Sequence, residues 1–544
     1  MFASILALLA LGGPSAPAPA FHSIAFVTDP LSHGVLGDNL LSLNEAIQLH
    51  NGTLLASQLS ATEQIQVSLL PGSGTTDLTW IEIDTELVQT ITVEQDLDVI
   101  VDTPFGLFIR GSGGRATIDF SGANVTRGML STSNSLILQG LRFSGGPYGL
   151  DVTQSDITGQ PGCTMLDVSF EDQAQFAVRV RGTLAGGIGR LIVEDCDIDN
   201  TPRAIEFDET VADRSTIFEA RDVRITGTDT AFDMSVGTGG NARFTFDRCV
   251  IESTNIGIEI DAPSTSGRPL LVEGTHTRVR APICARIDGA SDAVTWMQCS
   301  MWNLLAGNGG TALAVGSVGD QVYGDLNEFR CTGDVAVATG GAPLPLSMRN
   351  ARCRDGAVTL STTASQAFTV TESRFQNCTT ESVGTAAVNV DGSSFEGGSV
   401  GSTSQAGLLQ ATGCYISNPG PGVTETQTLP QAHLGSMTVA PDDTLLGGTI
   451  QLDIDLPAGL VGAFVLGTRP AVLPALPAPY YVYLDLNEYV FLPGAFVGQQ
   501  STTWTAPNSL LLRGIDLIAQ AAVLPLTAPA PPVQLPPGWR FELR

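Results

Sequence analysis

The chain has 544 residues, with 55 Asp and Glu against 26 basic residues that are all Arg, giving a formal charge of -29. Such a chain is repelled by nucleic acid and by anionic membrane, and no basic tract offsets the repulsion, so neither is an expected partner. With 60 Gly, only 15% charged residues and no long stripe rich in Ala, Glu, Lys and Leu, it reads as an all-β protein too long for one compact core, hence an elongated repeat.

Residues 1–20 read as a secretory signal peptide. Ile5 to Leu11 is an apolar run too short to span a bilayer, and Ala18-Pro19-Ala20 has the small-x-small form of a cleavage site, although no Lys or Arg precedes the run. No later stretch reaches eighteen uninterrupted apolar residues. The expected location is therefore secreted, extracellular or at the cell surface, without a membrane span.

From Phe21 to Ile109 there are twelve Asp and Glu and no Arg, which suits solubility outside the cell and, alternatively, divalent-cation binding. Within this stretch Ser42 can cap a short helix, with Glu45 returning to it three residues later. Leu43, Ala46 and Ile47 would then cover an open first rung. Phe26-Val27-Thr28-Asp29, Gly37-Asp38 and Leu41-Ser42-Leu43-Asn44-Glu45-Ala46-Ile47 resemble the CSLREA module that begins secreted bacterial β-helix proteins, with Leu41 standing for the family's Cys and Asn44 for its Arg. The resemblance implies an N-terminal cap over 21–62.

The next stretch, 63–430, is periodic. A polar residue followed by alternating apolar positions recurs in Ala116-Thr117-Ile118-Asp119-Phe120, Gln139-Gly140-Leu141-Arg142-Phe143, Leu166-Asp167-Val168-Ser169-Phe170, Asp195-Cys196-Asp197-Ile198 and Asp222-Val223-Arg224-Ile225. Aligned on Phe120, Phe143, Phe170, Ile198, Ile225 and Ile251, the intervals are 23, 27, 28, 27 and 26 residues, shortening to 22, 20 and 21 from Cys353 through Phe375 and Phe395 to Ile416. Each unit has room for three short strands and three turns, one rung of a parallel β-helix. A propeller blade needs about 40 residues, and the leucine-rich horseshoe pattern is absent. Leu107 to Asp119 looks like the early rungs of pectate-lyase-like right-handed β-helices, a resemblance covering 22–430. It implies a right-handed parallel β-helix, a fold that serves lyases, hydrolases, epimerases and inert adhesins alike.

Stacked rungs make neighbours. Asp197 should sit above Arg224, and Cys331 beside Cys353, either as a disulfide or as stacked free thiols. The nine cysteines never form a CxxC pair, so a zinc site of the usual spacing is not expected. Beyond Pro419-Gly420-Pro421-Gly422 the rung pattern stops. Gln451 to Leu456, Ala463 to Gly467 and Tyr480 to Leu492 read as longer strands, and the segment from Trp504 to Val523 is similar to a small β-sandwich module that ends many exported bacterial proteins. A C-terminal β-sandwich domain is expected over 431–544.

No catalytic set emerges. The basic and carboxylate motifs of pectate lyases, of the hydrolases of that fold and of uronate epimerases are missing, GxSxG does not occur, and His22, His33, His50, His276 and His433 are scattered. Two binding candidates remain. Asp195, Asp197 and Asp199 alternate and can offer carboxylates to Ca²⁺, with Glu171 and Glu252 in adjoining rungs; solvated charge is the competing reading. Trp296, Trp302 and Tyr323 can stack on sugar faces if they point outward, or fill the core if they point inward. The expected function is structural, adhesive or carbohydrate-binding, for a monomer needing no cofactor and facing extracellular polysaccharide or cell-surface components. The alternative is a polysaccharide lyase or glycoside hydrolase with a degenerate motif.

Overall fold

The computed structural model describes residues 23–416 apart from single positions and short inter-strand segments, the longest of them 70–77, and from Val423 onward chiefly the strands. Two compact units divide the chain, Met1–Thr426 and Gln427–Arg544.

Unit one is a parallel β-helix. Three sheets run along it, and in each a strand pairs in parallel with the strand one rung earlier and one rung later. Alternation of period two sends every second side chain inward. In the first sheet Ile81, Ile109, Leu138, Met165, Val193, Ala220 and Phe246 are successive register partners, all fully buried. In the second, Phe143, Phe170, Ile198, Ile225, Ile251, Val279, Leu304, Cys331, Cys353 and Phe375 form the inner column. In the third, Leu150, Val178, Ile205, Phe232 and Ile258 do so. Burying one such side chain contributes about 1.5–3 kcal/mol, so the columns dominate cohesion.

The corners explain the polar residue that opens each repeat. Between the first and second sheets the backbone turns through one left-handed residue per rung: Gly140, Asp167, Asp195, Asp222, Arg248, His276, Met301, Glu328 and Asn350 all have φ between 50° and 61°. A second set, Gly145, Asp172, Asn200, Gly227, Gly333, Asp355 and Asn377, follows the second-sheet strand. Asp, Asn and Gly tolerate this conformation best and fill all of the second set and five positions of the first, whereas Arg248, His276, Met301 and Glu328 hold the other four.

The capping box forms as its sequence demands. Helix α1, Leu43–Asn51, starts at Ser42, whose hydroxyl accepts from the Glu45 N–H while the Ser42 N–H donates to the Glu45 carboxylate at 2.9 Å. Leu43, Ala46 and Ile47 are fully buried. On the polar side, Asn44, Gln48 and Asn51 grip the segment 98–101: Asn44 Oδ1 accepts from the Asp98 N–H, Gln48 donates to the Asp98 carboxylate, and Asn51 donates to the Val99 carbonyl. A second capped helix, α2, Ala61–Ile65, repeats the motif with Ser60 and Glu63.

In unit two the described strands are antiparallel apart from one short pairing. Thr449–Asp455 belongs to a three-stranded sheet and Leu460–Gly467 to a six-stranded one. Alternate residues of each, Ile450 and Leu452, Phe464 and Leu466, are buried, so each strand has one covered face. The expected strand from Tyr480 to Leu492 is two, Tyr480–Leu484 and Tyr489–Phe491.

Candidate functional site

The outer surface of the third sheet gathers the chain's chemistry. Its strands Tyr148–Gln154, Phe176–Gly182, Arg203–Glu209, Arg224–Val236, Val250–Ala262 and Ile283–Gly289 stay in register there, so outward residues stack at about 4.8 Å. One outward column reads Asp151, Arg179, Glu206, Asp233, Glu259, Arg286. Two residues along, a second reads Arg181, Asp208, Ser235, Asp261. Together they make a lane that is mostly carboxylate, with Arg179 and Arg181 beside Asp151 toward one end and Arg286 beside Glu259 toward the other.

Ion pairs organise its ends. Arg179 and Arg181 both donate to the buried Asp151 carboxylate, at 2.6 and 3.0 Å. Arg286 pairs with Glu259, and exposed Arg203 lies 3.4 Å from Glu206 and 3.8 Å from Asp233. Beside the columns the Tyr148 ring stacks on Phe176, centroids 4.8 Å apart and planes 11° from parallel, and the Arg179 guanidinium covers Phe176 at 4.4 Å. Asp233 is the perturbed carboxyl of the lane. Partial burial pushes its carboxyl above the usual range, reinforced by Glu259, Glu206 and Asp208 and opposed by Arg203. Phe176 itself is buried, so the partly exposed Tyr148 ring, forked donors and several acceptors are what this surface offers to a sugar ring and its hydroxyl or carboxylate groups.

The residues singled out in the sequence lie elsewhere. Trp302 is in the core, 1% exposed, with its ring edge-on to Phe246, so it is no sugar platform; its position at the entry to a second-sheet strand turns it inward. Trp296 and Tyr323 are register partners on the first sheet, and their side chains lie outside the described residues. Asp195 is a corner residue with φ 55°, Asp197 sits 2.8 Å from Arg115, and Asp199 accepts from the Thr226 hydroxyl at 2.6 Å. These carboxylates do not converge: among the described residues no group of three or more His, Cys, Asp or Glu is arranged to hold a metal ion. Asp197 and Arg224 are register partners as expected, yet Asp197 pairs with Arg115. Arg115 precedes Ala116 as Gly140 precedes Leu141 and Asp167 precedes Val168. The missing side chain at Gly140 lets its guanidinium reach on to Asp167 as well, at 2.7 Å. Cys331 and Cys353 are register partners whose thiols are free, not a disulfide.

No family model, curated protein or solved structure matches this chain.

The lane had a signal in the sequence. Arg179, Glu206, Asp233, Glu259 and Arg286 follow at 27, 27, 26 and 27 residues, the spacing of the rungs themselves. A search for apolar recurrence passes over it because the charged column is the other half of the same alternation.

Proposed function

We propose that this is an exported β-helix protein of structural or adhesive character that binds extracellular polysaccharide along the outer face of its third sheet. The partly exposed Tyr148 ring, stacked on buried Phe176 beside the Arg203, Glu206 and Asp233 cluster, carries the reading, because it sets one aromatic ring next to donors and acceptors on a rigid ladder. Export rests on the signal-like residues 1–20, and kinship with CSLREA-type, pectate-lyase-like proteins rests on the Ser42 and Glu45 capping box that begins the helix. Purified protein is applied to acidic and neutral glycans, with retention and cleavage products both scored. Tyr148→Ala and Arg203→Ala should each weaken retention by about tenfold; retention unchanged in both variants overturns the assignment of the face.

A second reading, hydrolysis or lysis of the bound glycan, is favoured by Asp233, whose raised protonation range suits a general acid or base between Glu206 and Glu259. Product release abolished by Asp233→Asn with retention intact would establish it over simple binding.

A further inference from the structure

We propose that the first rungs carry a docking surface for a cationic amphipathic segment of a partner polypeptide. It lies on the outer face of the first sheet and does not depend on the polysaccharide reading. The outward column there is apolar where a solvated sheet face is ordinarily polar: Ile24, Trp80, Phe108 and Ile137 are successive register partners, none of them fully buried. Phe26 stands beside them on the Ser23–Val27 strand, and its N–H donates to the Gln66 carbonyl, bringing Ile65 to the same edge. Ile65 is 83% exposed, Leu40 41% and Phe26 36%. Gln66 draws Leu40 in, donating to the Asn39 carbonyl and accepting from the Leu41 N–H. Monomers rarely leave a connected apolar surface of this kind without an occupant.

Charge identifies the occupant. Glu82 is the register partner of Phe26, Asp84 and Glu86 follow it, and Asp38 lies beside Leu40, so the apolar patch has a carboxylate rim. Arg110 already shows how a cation seats there: its guanidinium lies 4.9 Å from the Trp80 ring centre and 3.1 Å from Glu82. A second copy would set the same carboxylate rim against its own in a two-fold contact, which repels. A flat sugar finds no platform, because Trp80 and Phe108 are tilted by 57°. A helix with apolar side chains on one face and Lys or Arg on its flanks satisfies both features.

The test uses the full chain and a labelled Leu/Lys amphipathic helical peptide. Controls are a scrambled peptide of the same composition, a Leu/Glu analogue, and anionic phosphatidylglycerol vesicles. The amphipathic cationic peptide should bind at least about tenfold tighter than the scrambled one, and Phe26→Asp and Ile65→Asp should each remove that difference. Ile65→Asp alters a side chain held by little of the fold, so it remains informative if Phe26→Asp fails to fold. Equal binding of amphipathic and scrambled peptides, binding untouched by Ile65→Asp, preference for the vesicles, or a dimer in sedimentation dispersed by Ile65→Asp would each overturn the proposal.

Discussion

Glu209 and Arg214 form an ion pair with both side chains fully buried at one corner of the β-helix. Arg214 also donates to the carbonyls of Ser155, Leu184 and Ile188, so one guanidinium ties together the turns of successive rungs. Gly182 and Gly189 leave the space: a Cβ at Gly189 would collide with the Glu209 carboxyl, and one at Gly182 with both partners.

Burial pushes the Glu209 carboxyl up to about 7 from an ordinary 4.5, against the pull of Arg214. A raised value in the folded state means that folding favours the protonated form. Its stabilisation is complete below about 4.5 and is lost as pH rises through about 7, a change on the order of 3 kcal/mol. The urea midpoint should therefore fall between mildly acidic and mildly alkaline pH, and fall less in Glu209→Gln. Identical pH slopes in the two proteins would show that Glu209 is not the titrating group.

Ser42 and Glu45 close α1 reciprocally, and Leu43, Ala46 and Ile47 of α1 are buried. Ser42→Ala should cost about 1 kcal/mol in chemical denaturation and increase hydrogen exchange in Leu43–Asn51 first. Loss spread evenly over the β-helix would contradict a local capping role.

Phe170 stacks on Phe143 at 4.9 Å and 13° in the second-sheet column, with Gly149 leaving room for its ring. Phe170→Ala should destabilise by about 3–5 kcal/mol and Phe170→Leu by clearly less, read from urea midpoints. Equal effects would mean that ring stacking and volume matter little there.

Burial pushes the thiols of Cys163, Cys196, Cys249 and Cys284 up to about 12. Cys353 is also raised, by its hydrogen bond with Cys331 and by burial. The eight described thiols should resist a disulfide exchange reagent in native buffer and react together on unfolding. Mass analysis without reductant that finds Cys331 joined to Cys353 would disprove the free-thiol ladder.

The repeat, the Ser42 and Glu45 capping box and the strand-rich tail were legible because each rests on a local pattern. Register was less so. Aligning the first repeat on Phe120 puts it opposite Phe143, whereas Ile118 is the partner, and Phe120 instead stacks on Phe143 from beyond the strand end at 6.2 Å. Both residues are apolar, so the pattern alone does not choose between them. The same ambiguity hid Trp302, whose inward direction depends on where its strand begins.

Sequence by itself determined that apolar side chains recur with the length of one rung, since that follows from the two-residue alternation of a strand. Only the tertiary structure decided which charges meet. Arg115 finding Asp197 across intervening rungs, and Asp233 lying among Glu206, Glu259 and Arg203, depend on side-chain reach between rungs, and no spacing in the chain fixes where a long guanidinium comes to rest.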